Sequence, residues 1–291
     1  MSTRKARRRF LTGLIGAPIA HSASPAMHEE AAEALGVRCH YQLIEVADAD
    51  RGGLRAMLDG VRRLGFAGVN VTFPYKEAVV ELLDELAPGA AAMQAVNTVV
   101  VRDEKLIGHN TDTTGFARAA ASLVADFGRG PVAVIGAGGV GKAIAFALVS
   151  LNVSEVRIFD TERAKTEKLA SLLGTQKGVV AADSIEVALK DAVGLVNGTP
   201  VGMLPSRSMP VPETLLRPEL WVADAVYSPL HTPLLLAAKA KGARIMTGRE
   251  LAICQAADAF ELFTGLAPQA SVMGNAFDRV MAERSDASFA A

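Results

Sequence analysis

The stretch PVAVIGAGGVGKAIAFALVS, residues 131–150 of this 291-residue chain, combines a short apolar run, a glycine-rich turn and an apolar helical pattern. Such a succession predicts a buried strand, a tight turn and a helix. Three glycines of the turn satisfy the spacing G-x-G-x-x-G, which lets the backbone approach a pyrophosphate whose charge rests on the helix N-terminus. A glycine-rich turn without a ligand is the alternative. We predict that a dinucleotide is bound by the turn residues Gly136, Ala137, Gly138, Gly139, Val140 and Gly141.

The strand that follows, EVRIFD (155–160), ends in the acidic residue Asp160, about 20 residues beyond Gly141. A carboxylate at this position accepts hydrogen bonds from both ribose hydroxyls of NAD. The 2′-phosphate of NADP would meet a like charge there, although the neighbouring Arg163 would soften the repulsion. Asp160 could instead cap the helix predicted to begin at Thr161. The residues therefore favour NAD as the cofactor, with NADP as the alternative.

Strand and helix patterns alternate through the rest of this block. Strand patterns lie in GVVAA (178–182), GLVNGT (194–199) and LWVADAVY (220–227), and helical patterns in TERAKTEKLASLLG (161–174) and TPLLLAAKAKG (232–242). Alternating strands and helices form a parallel sheet with helices on both faces. We therefore predict a Rossmann-like dinucleotide-binding domain at residues 113–248.

The chain before this block also alternates and predicts a three-layer α/β domain with a mostly parallel sheet. Strand patterns occur in LTGLIG (11–16), HYQLIEV (40–46), AGVNVT (67–72) and NTVVVRDEKLIG (97–108), the last a strand pair turning at Asp103 and Glu104. Helical patterns occur in PAMHEEAAEALG (25–36), with Ser24 as its N-cap, in GLRAMLDGVRRLG (53–65) and in PYKEAVVELLDEL (74–86). From Arg249 onward the pattern is helical.

The composition excludes several classes of function. Lys and Arg number 30 against 31 Asp and Glu, and a formal net charge of −1 gives no reason to expect nucleic acid or a membrane as partner. Cys39 and Cys254 lie in no metal-binding spacing and fit a reduced, cytoplasmic setting. RKARRRFL (4–11) contains the paired arginines of an export signal, but the apolar run after it is short, so we predict a basic arm. We expect no metal.

A nicotinamide cofactor carries hydride but not the proton, so the protein must supply a proton-transfer group. NVTFPYKEA (70–78) offers Lys76, in the first turn of a helix predicted to begin at Pro74. The partial positive charge of a helix N-terminus disfavours an ammonium, which would suit a lysine that exchanges protons. GHNTDTTG (108–115) offers Asp112, which either caps the following helix or pairs with Lys76 at a cleft between the domains.

Eight segments follow one another in an order typical of shikimate dehydrogenases, and the chain resembles that family from about Leu14 to Gly265. The segments are GAPIAHSASPAMH (16–28), GVNVTFPYK (68–76), AVNT (95–98), GHNTD (108–112), GAGGVGKA (136–143), NGTPVGM (197–203), DAVYSPLHTPLL (224–235) and GRELAICQA (248–256). The resemblance implies an oxidoreductase of the shikimate pathway of aromatic amino acid biosynthesis, which reversibly reduces 3-dehydroshikimate to shikimate with a nicotinamide cofactor. It also implies that the C-terminal helices return to the first domain, so that residues 1–112 and 249–291 form the substrate-binding and catalytic domain.

The resemblance assigns roles to individual residues. Ser22 and Ser24 match serines that bind the substrate carboxylate, and Lys76 falls on the catalytic lysine. Positions that match residues binding the substrate hydroxyls are Thr72, Asn97, Asp112, Tyr227 and Gln255. Positions that match cofactor-binding residues are Thr199, Ala225 and Gly248, the last two through their backbone at the nicotinamide end. We expect His21 to order the serine loop rather than to touch the substrate.

Several features favour the quinate/shikimate dehydrogenase branch, whose members prefer NAD and often serve quinate catabolism. Glu29 and Gln94 stand where many biosynthetic members have Asn and Gly, and Asp160 stands in a segment that reads Asn-Arg-Thr in NADP-dependent members. Ser24 argues against this branch, because its members commonly have Thr at that position. We expect shikimate oxidation with NAD; the alternatives are a quinate-preferring or aminoshikimate dehydrogenase and, from another class, a non-catalytic nucleotide-binding regulator. A monomer and a homodimer both remain open.

Overall fold

The structure is a computed structural model. It describes residues 7–174 and 178–289, with residues 285–289 described by their backbone alone. Part of the predicted basic arm, residues 4–6, lies outside the described residues. None of the helices within the described ranges is long and apolar enough to cross a membrane.

The chain forms two compact units, each built on its own six-stranded sheet. The first unit comprises the chain up to Thr111 and the residues from Ala256 onward, and the second comprises Asp112–Gln255. Elements of the first unit before Thr111 are β1 (Arg9–Gly16), α1 (Ser24–Ala34), β2 (Arg38–Glu45), α2 (Arg51–Arg63), β3 (Gly68–Val71), β4 (Glu85–Leu86), α3 (Pro88–Met93), β5 (Thr98–Arg102) and β6 (Lys105–His109).

The sheet of the first unit is mixed, with the strand order β2-β1-β3-β5-β6-β4. Strand β1 pairs in parallel with β2 and β3, whereas β5 runs antiparallel to β3 and β6. The predicted turn at Asp103 and Glu104 joins β5 to β6, and both residues have the positive φ that a two-residue hairpin turn requires. The carboxyl ends of β1 and β3 and the start of β5 therefore lie at one edge of the sheet.

Apolar side chains cover both faces of this sheet. Ile15 and Val71 pack with Leu58 of α2 on one face, in a larger buried cluster. Leu14 and Tyr41, which alternate with these positions, form a cluster on the other face. The C-terminal helix α10 (Ala270–Phe289) packs along α1 and belongs to this unit.

The predicted helix over residues 74–86 is wrong. The segment forms turns, a 3₁₀-helix at Val80–Leu82 and then β4. The backbone N–H of Asp84 donates to the carbonyl of Leu106 at 3.0 Å, and β4 pairs with β6, so the chain is drawn into the sheet instead of continuing a helix. Lys76 consequently lies in a turn, and the helix N-terminus invoked for it does not exist.

The second unit has an all-parallel sheet with the strand order β12-β11-β10-β7-β8-β9. Its elements are α4 (Thr111–Asp126), β7 (Val132–Ile135), α5 (Gly139–Ser150), β8 (Val156–Phe159), α6 (Arg163–Leu173), β9 (Val179–Ala181), α7 (Ile185–Leu189), β10 (Gly194–Asn197), β11 (Trp221–Asp224), α8 (Pro233–Ala240), β12 (Arg244–Met246) and α9 (Gly248–Thr264), which ends in the first unit. Val132 and Val134 pack into one buried cluster and Ala133 and Ile135 into another, so both faces of the sheet are covered. This strand order is that of a doubly wound dinucleotide-binding fold, and the predicted α/β fold class is confirmed.

Two predicted helix starts are also corrected. Helix α1 begins at Ser24 with Ala23 as its N-cap, because the Ser24 side chain is hydrogen-bonded to Ser22 and Tyr41 and not to a backbone N–H of the helix. Helix α4 begins at Thr111, so Asp112 lies in its first turn and not at the N-cap.

Candidate active site

The serine loop follows β1 and turns beside the loop that follows β3. A Cβ atom added at Gly16, whose φ is +155°, would lie 2.4 Å from Cγ2 of Thr72, so only glycine allows this approach. The Ser22 hydroxyl donates to Oγ of Ser24 at 3.1 Å and accepts from the Ser24 backbone N–H at 3.2 Å. The two serines therefore form one half-buried unit, while His21 is exposed.

Lys76 lies in the loop after β3 and is half-buried. Its carbonyl accepts a hydrogen bond from the backbone N–H of Val96 at 2.8 Å. The neighbouring Tyr75 is buried, and its hydroxyl donates to the carbonyl of Val46 and accepts from the N–H of Ala49, both at 2.9 Å. The loop that carries Lys76 is thus fixed at both sides by hydrogen bonds.

Asn97 precedes β5 at the same edge of the sheet and is buried. Its Oδ1 atom accepts from the N–H of Thr111 at 2.7 Å and from the hydroxyl of Thr98 at 2.9 Å. Its Nδ2 group donates to the hydroxyl of Thr111 at 3.0 Å. The structure therefore brings the five predicted site residues of the first unit to one sheet edge; they are Ser22, Ser24, Thr72, Lys76 and Asn97.

A buried polar chain behind the serine loop was missed from the sequence. The Tyr41 hydroxyl donates to Oδ1 of Asn70 at 2.8 Å and is hydrogen-bonded by the Ser24 side chain, and burial raises the pKa of Tyr41. Asn70 in turn donates to the Thr98 hydroxyl at 2.9 Å. The His28 ring packs on the Tyr41 ring with centroids 4.6 Å apart, and burial lowers the pKa of His28 to about 3, so this histidine is a neutral core residue.

In the second unit, each glycine of the predicted fingerprint has a distinct steric reason. Gly136 has a φ of +100°, and a Cβ at Gly141 would lie 1.9 Å from the carbonyl oxygen of Gly136. A Cβ at Gly138 would meet no atom of the residues that the structure describes within 4 Å, so this glycine faces open space at the N-terminus of α5. Tight packing at two glycines and open space at the third fit a pyrophosphate on the helix N-terminus.

Asp160 stands at the end of β8, beside the glycine turn. Its Oδ2 atom accepts from the backbone N–H of Ala137 at 2.8 Å, and its Oδ1 atom accepts from the N–H of Glu162 at 2.9 Å. The alternative of a helix cap is wrong, because α6 begins at Arg163 with Glu162 as its N-cap. The Arg163 guanidinium donates to the carboxylates of Glu167 and Asp183, at 2.7 and 2.5 Å.

A second polar network missed from the sequence joins the ends of β10 and β11. Nδ2 of Asn197 donates to Oδ1 of Asp224 at 2.9 Å, and the Thr232 hydroxyl donates to Oδ2 of Asp224 at 2.6 Å. The N–H of Val226 also donates to Asp224, and Oδ1 of Asn197 accepts from the hydroxyl and the N–H of Thr199. Burial raises the pKa of Asp224 to about 6, against these hydrogen bonds, which lower it.

The remaining predicted residues of the second unit fall in two places. A Cβ at Gly248 would lie 2.7 Å from the carbonyl oxygen of Ala225, so these two predicted cofactor positions are adjacent. A Cβ at Gly115 would lie 2.7 Å from the backbone nitrogen of Gln255, which places Gln255 against α4, one turn after the buried Asp112. Tyr227 is 37% exposed, on the loop after β11.

This geometry first defines a class of protein: a dehydrogenase with a doubly wound dinucleotide-binding unit and a second α/β unit that carries hydroxyl, amide and lysine side chains. Comparison with known proteins makes the assignment finer. Residues 14–99 match the family model described as the shikimate dehydrogenase substrate binding domain. The chain belongs to the shikimate dehydrogenase family.

Named relatives cover nearly the whole chain. A Streptomyces avermitilis protein named shikimate dehydrogenase (NADP(+)) is 42% identical, covering 91% of this chain and 93% of the relative. A Corynebacterium efficiens protein named quinate/shikimate dehydrogenase (NAD(+)) is 43% identical, covering 92% of this chain and 97% of the relative. The solved quinate dehydrogenase from Corynebacterium glutamicum in complex with NAD has a TM-score of 0.88 at 39% identity, covering 93% of this chain and 99% of that chain.

Proposed function

We propose that this protein catalyses the reversible oxidation of shikimate to 3-dehydroshikimate, with NAD as the preferred cofactor. The observation that carries the proposal is the grouping of Ser22, Ser24, Thr72, Lys76 and Asn97 at one sheet edge, in a chain that also holds a complete glycine fingerprint. Relatives named for shikimate and for quinate support this substrate class.

The serine pair suits the carboxylate of the substrate. A hydroxyl proton can turn from one acceptor to another without displacement of the oxygen, and a carboxylate is a stronger acceptor than a neighbouring hydroxyl. Ser22 and Ser24 would therefore redirect their protons to a bound carboxylate. Thr72, Asn97, Asp112, Tyr227 and Gln255 supply the hydroxyl, amide and carboxylate groups that recognise ring hydroxyls in this proposal.

Lys76 and Asp112 handle the proton. In the oxidation direction the substrate hydroxyl gives its proton to the neutral amine of Lys76, and in the reduction direction the ammonium returns a proton to the carbonyl oxygen. When bound by the glycine turn and Asp160, NAD would supply the acceptor for the hydride of the ring carbon. The negative charge of Asp112 favours the ammonium form of Lys76 once the proton has moved.

The cofactor preference follows from Asp160 and Arg163. Asp160 offers a carboxylate at the position where NAD presents its ribose hydroxyls, and it stands next to the glycine turn. Arg163 is already paired with two carboxylates, so it offers little compensation to the 2′-phosphate of NADP. We assign cofactor contacts to the loop from Gly136 to Gly141 and to Asp160, Arg163, Thr199, Ala225 and Gly248.

Steady-state assays that cross shikimate and quinate with NAD and NADP test the proposal. We expect kcat/KM to be highest with shikimate and NAD. A higher kcat/KM with NADP would contradict the role of Asp160, and turnover of quinate alone would contradict the substrate assignment. Failure of every combination would leave a nucleotide-binding protein without this activity.

A further inference from the structure

The Asn197–Asp224 pair is a buried polar feature that the reaction itself does not use. Asp224 is 1% exposed and Asn197 is fully buried. Among the described residues, the hydrogen-bond donors to the Asp224 carboxylate are the Asn197 amide, the Thr232 hydroxyl and the Val226 N–H, and none of these donors carries a charge. Burial of a carboxylate whose described partners are all neutral is costly, which raises the question of what its hydrogen bonds hold in place.

Asn197 connects this carboxylate to the loop after β10. Its Oδ1 atom accepts from the Thr199 hydroxyl at 2.7 Å and from the Thr199 N–H at 3.0 Å, and its Nδ2 group also donates to the carbonyl of Val201 at 3.0 Å. The Oδ1 atom of Asn197 therefore accepts two hydrogen bonds and its Nδ2 group donates two, and these bonds fix the orientation of the amide.

Thr199 in turn touches the glycine turn. A Cβ added at Gly136 would lie 2.7 Å from Cγ2 of Thr199, and one added at Gly198 would lie 2.7 Å from Cα of Gly141. The loop after β10 thus packs directly on the turn assigned to the pyrophosphate. A shift of Thr199 would therefore change the packing around the fingerprint glycines.

Asp224 also fixes the loop after β11. It accepts from the Val226 N–H at 2.9 Å, and the start of α9 at Gly248 packs against the carbonyl oxygens of Ala225 and Val226. The same carboxylate oxygen that holds Val226 holds Asn197, so one side chain sets the positions of both loops.

We propose that Asp224 and Asn197 form a positioning pair that holds Thr199 beside the turn assigned to the pyrophosphate and Ala225 at the position assigned to the nicotinamide end of the cofactor. The proposal rests on the cofactor assignment made above. Neither residue touches the reacting atoms; each acts through the loop that it orders.

Three variants test the pair. Asp224→Ala removes the acceptor of three hydrogen bonds, Asp224→Asn keeps one acceptor for Asn197 and Val226, and Trp221→Phe changes the fully buried residue at the opposite end of the same strand. We expect the Kd for NADH, measured by the fluorescence of the nucleotide, to rise at least tenfold in Asp224→Ala and less in Asp224→Asn. We expect it to change less than twofold in Trp221→Phe, whatever that variant loses in stability.

Thr232→Val provides a milder version of the same test, because it removes one bond to Asp224 and keeps a branched side chain. If Asp224→Ala does not fold, Asp224→Asn and Thr232→Val must both weaken NADH binding by more than twofold. Unchanged NADH affinity in folded variants would overturn the proposal and leave the pair a purely structural role. A wild-type protein that binds NADH but does not oxidise shikimate would instead refute the proposed function and leave this inference standing.

Discussion

The backbone N–H of Ala137 donates a hydrogen bond to Oδ2 of Asp160, with a nitrogen–oxygen distance of 2.8 Å. This bond joins the glycine turn after the first strand of the doubly wound sheet to the acidic residue after the second. It holds the carboxylate in place before any nucleotide binds, and preorganised groups lose less entropy on binding.

Replacement of Asp160 by Ala should therefore weaken the binding of NAD more than the binding of NADP. We expect KM for NAD to rise at least tenfold, which corresponds to about 1.4 kcal/mol, because the ribose hydroxyls lose a charged acceptor. The NAD-to-NADP ratio of kcat/KM should fall accordingly. Glu219→Gln is the control, since it changes an exposed carboxylate of the same unit that is not among the assigned cofactor contacts. A ratio that stays constant in Asp160→Ala would remove this residue from cofactor selection.

Replacement of Gly138 by Ala should weaken cofactor binding without lowering the stability of the fold. Within the described part of the chain, a Cβ at this position meets no atom within 4 Å, and the φ of Gly138 is −74°. Gly138→Ala should therefore leave the unfolding midpoint unchanged or slightly raised. The same methyl group would occupy the approach of the pyrophosphate, and we expect the Kd for NADH to rise at least tenfold. Gly60→Ala, equally open but in α2, should bind NADH normally. Normal binding by Gly138→Ala would place the nucleotide elsewhere.

Removal of Lys76 should affect turnover and spare nucleotide binding. We expect Lys76→Ala to lower kcat by about 10²- to 10⁴-fold, the range that a general acid–base group contributes. The Kd for NADH should change less than twofold. Lys168→Ala, on an exposed face of α6, is the matched control. Substantial turnover in Lys76→Ala would show that another group moves the proton.

The contribution of the serine pair to substrate binding should depend on the negative charge of the substrate. Ser24→Ala should raise KM for shikimate by about tenfold, because one hydrogen bond to a charged group contributes about 1.5–3 kcal/mol. The methyl ester of shikimate lacks that charge, so its KM should differ little between the wild type and Ser24→Ala. Equal losses for the acid and the ester would mean that Ser24 does not contact the carboxylate.

Asp224 should make stability depend on pH. Burial raises the pKa of Asp224 to about 6, so the folded state holds this proton more tightly than the unfolded state. The stabilisation of the folded state by this tighter proton binding is fully present below pH 3.8, the ordinary carboxyl pKa, and is lost as the pH rises through about 6. Asp224→Asn removes this titrating group and its pH-dependent stabilisation. The free energy of unfolding of Asp224→Asn minus that of the wild type should therefore increase from pH 5 to pH 7.5, by an amount on the order of 1 kcal/mol. Denaturant titrations at both pH values measure this difference; a constant difference would refute the assignment.

The doubly wound unit was predictable because its signals are local. Strands such as VAVI (132–135) are continuous apolar runs, and the glycine fingerprint and Asp160 lie at fixed spacings around them. The positions of β7, α5, β8, α6 and β9 followed from these patterns. Ala225 and Gly248 could be assigned only through resemblance to a family, and their adjacency depends on the pairing of strands far apart in sequence.

Other features depended on contacts that the sequence does not display. The spacing of Val79, Leu82 and Leu86 fits a helix, but pairing of β4 with β6 overrides this pattern. Asn197 and Asp224 each end an apolar strand, and two polar residues at equivalent strand ends were a usable signal of a network between loops. The buried chain from Ser24 through Tyr41 to Asn70 carried no comparable signal, because its members lie on different strands and a helix.

The most direct test of the central claim is the fate of the hydrogen on the carbinol carbon of shikimate. With shikimate deuterated at that carbon and NAD, we predict that mass spectrometry finds one deuterium in the reduced nucleotide for the wild type and almost none for Lys76→Ala in the same time. Reduced nucleotide without deuterium, or no reduced nucleotide at all from the wild type, would contradict direct hydride transfer by this protein.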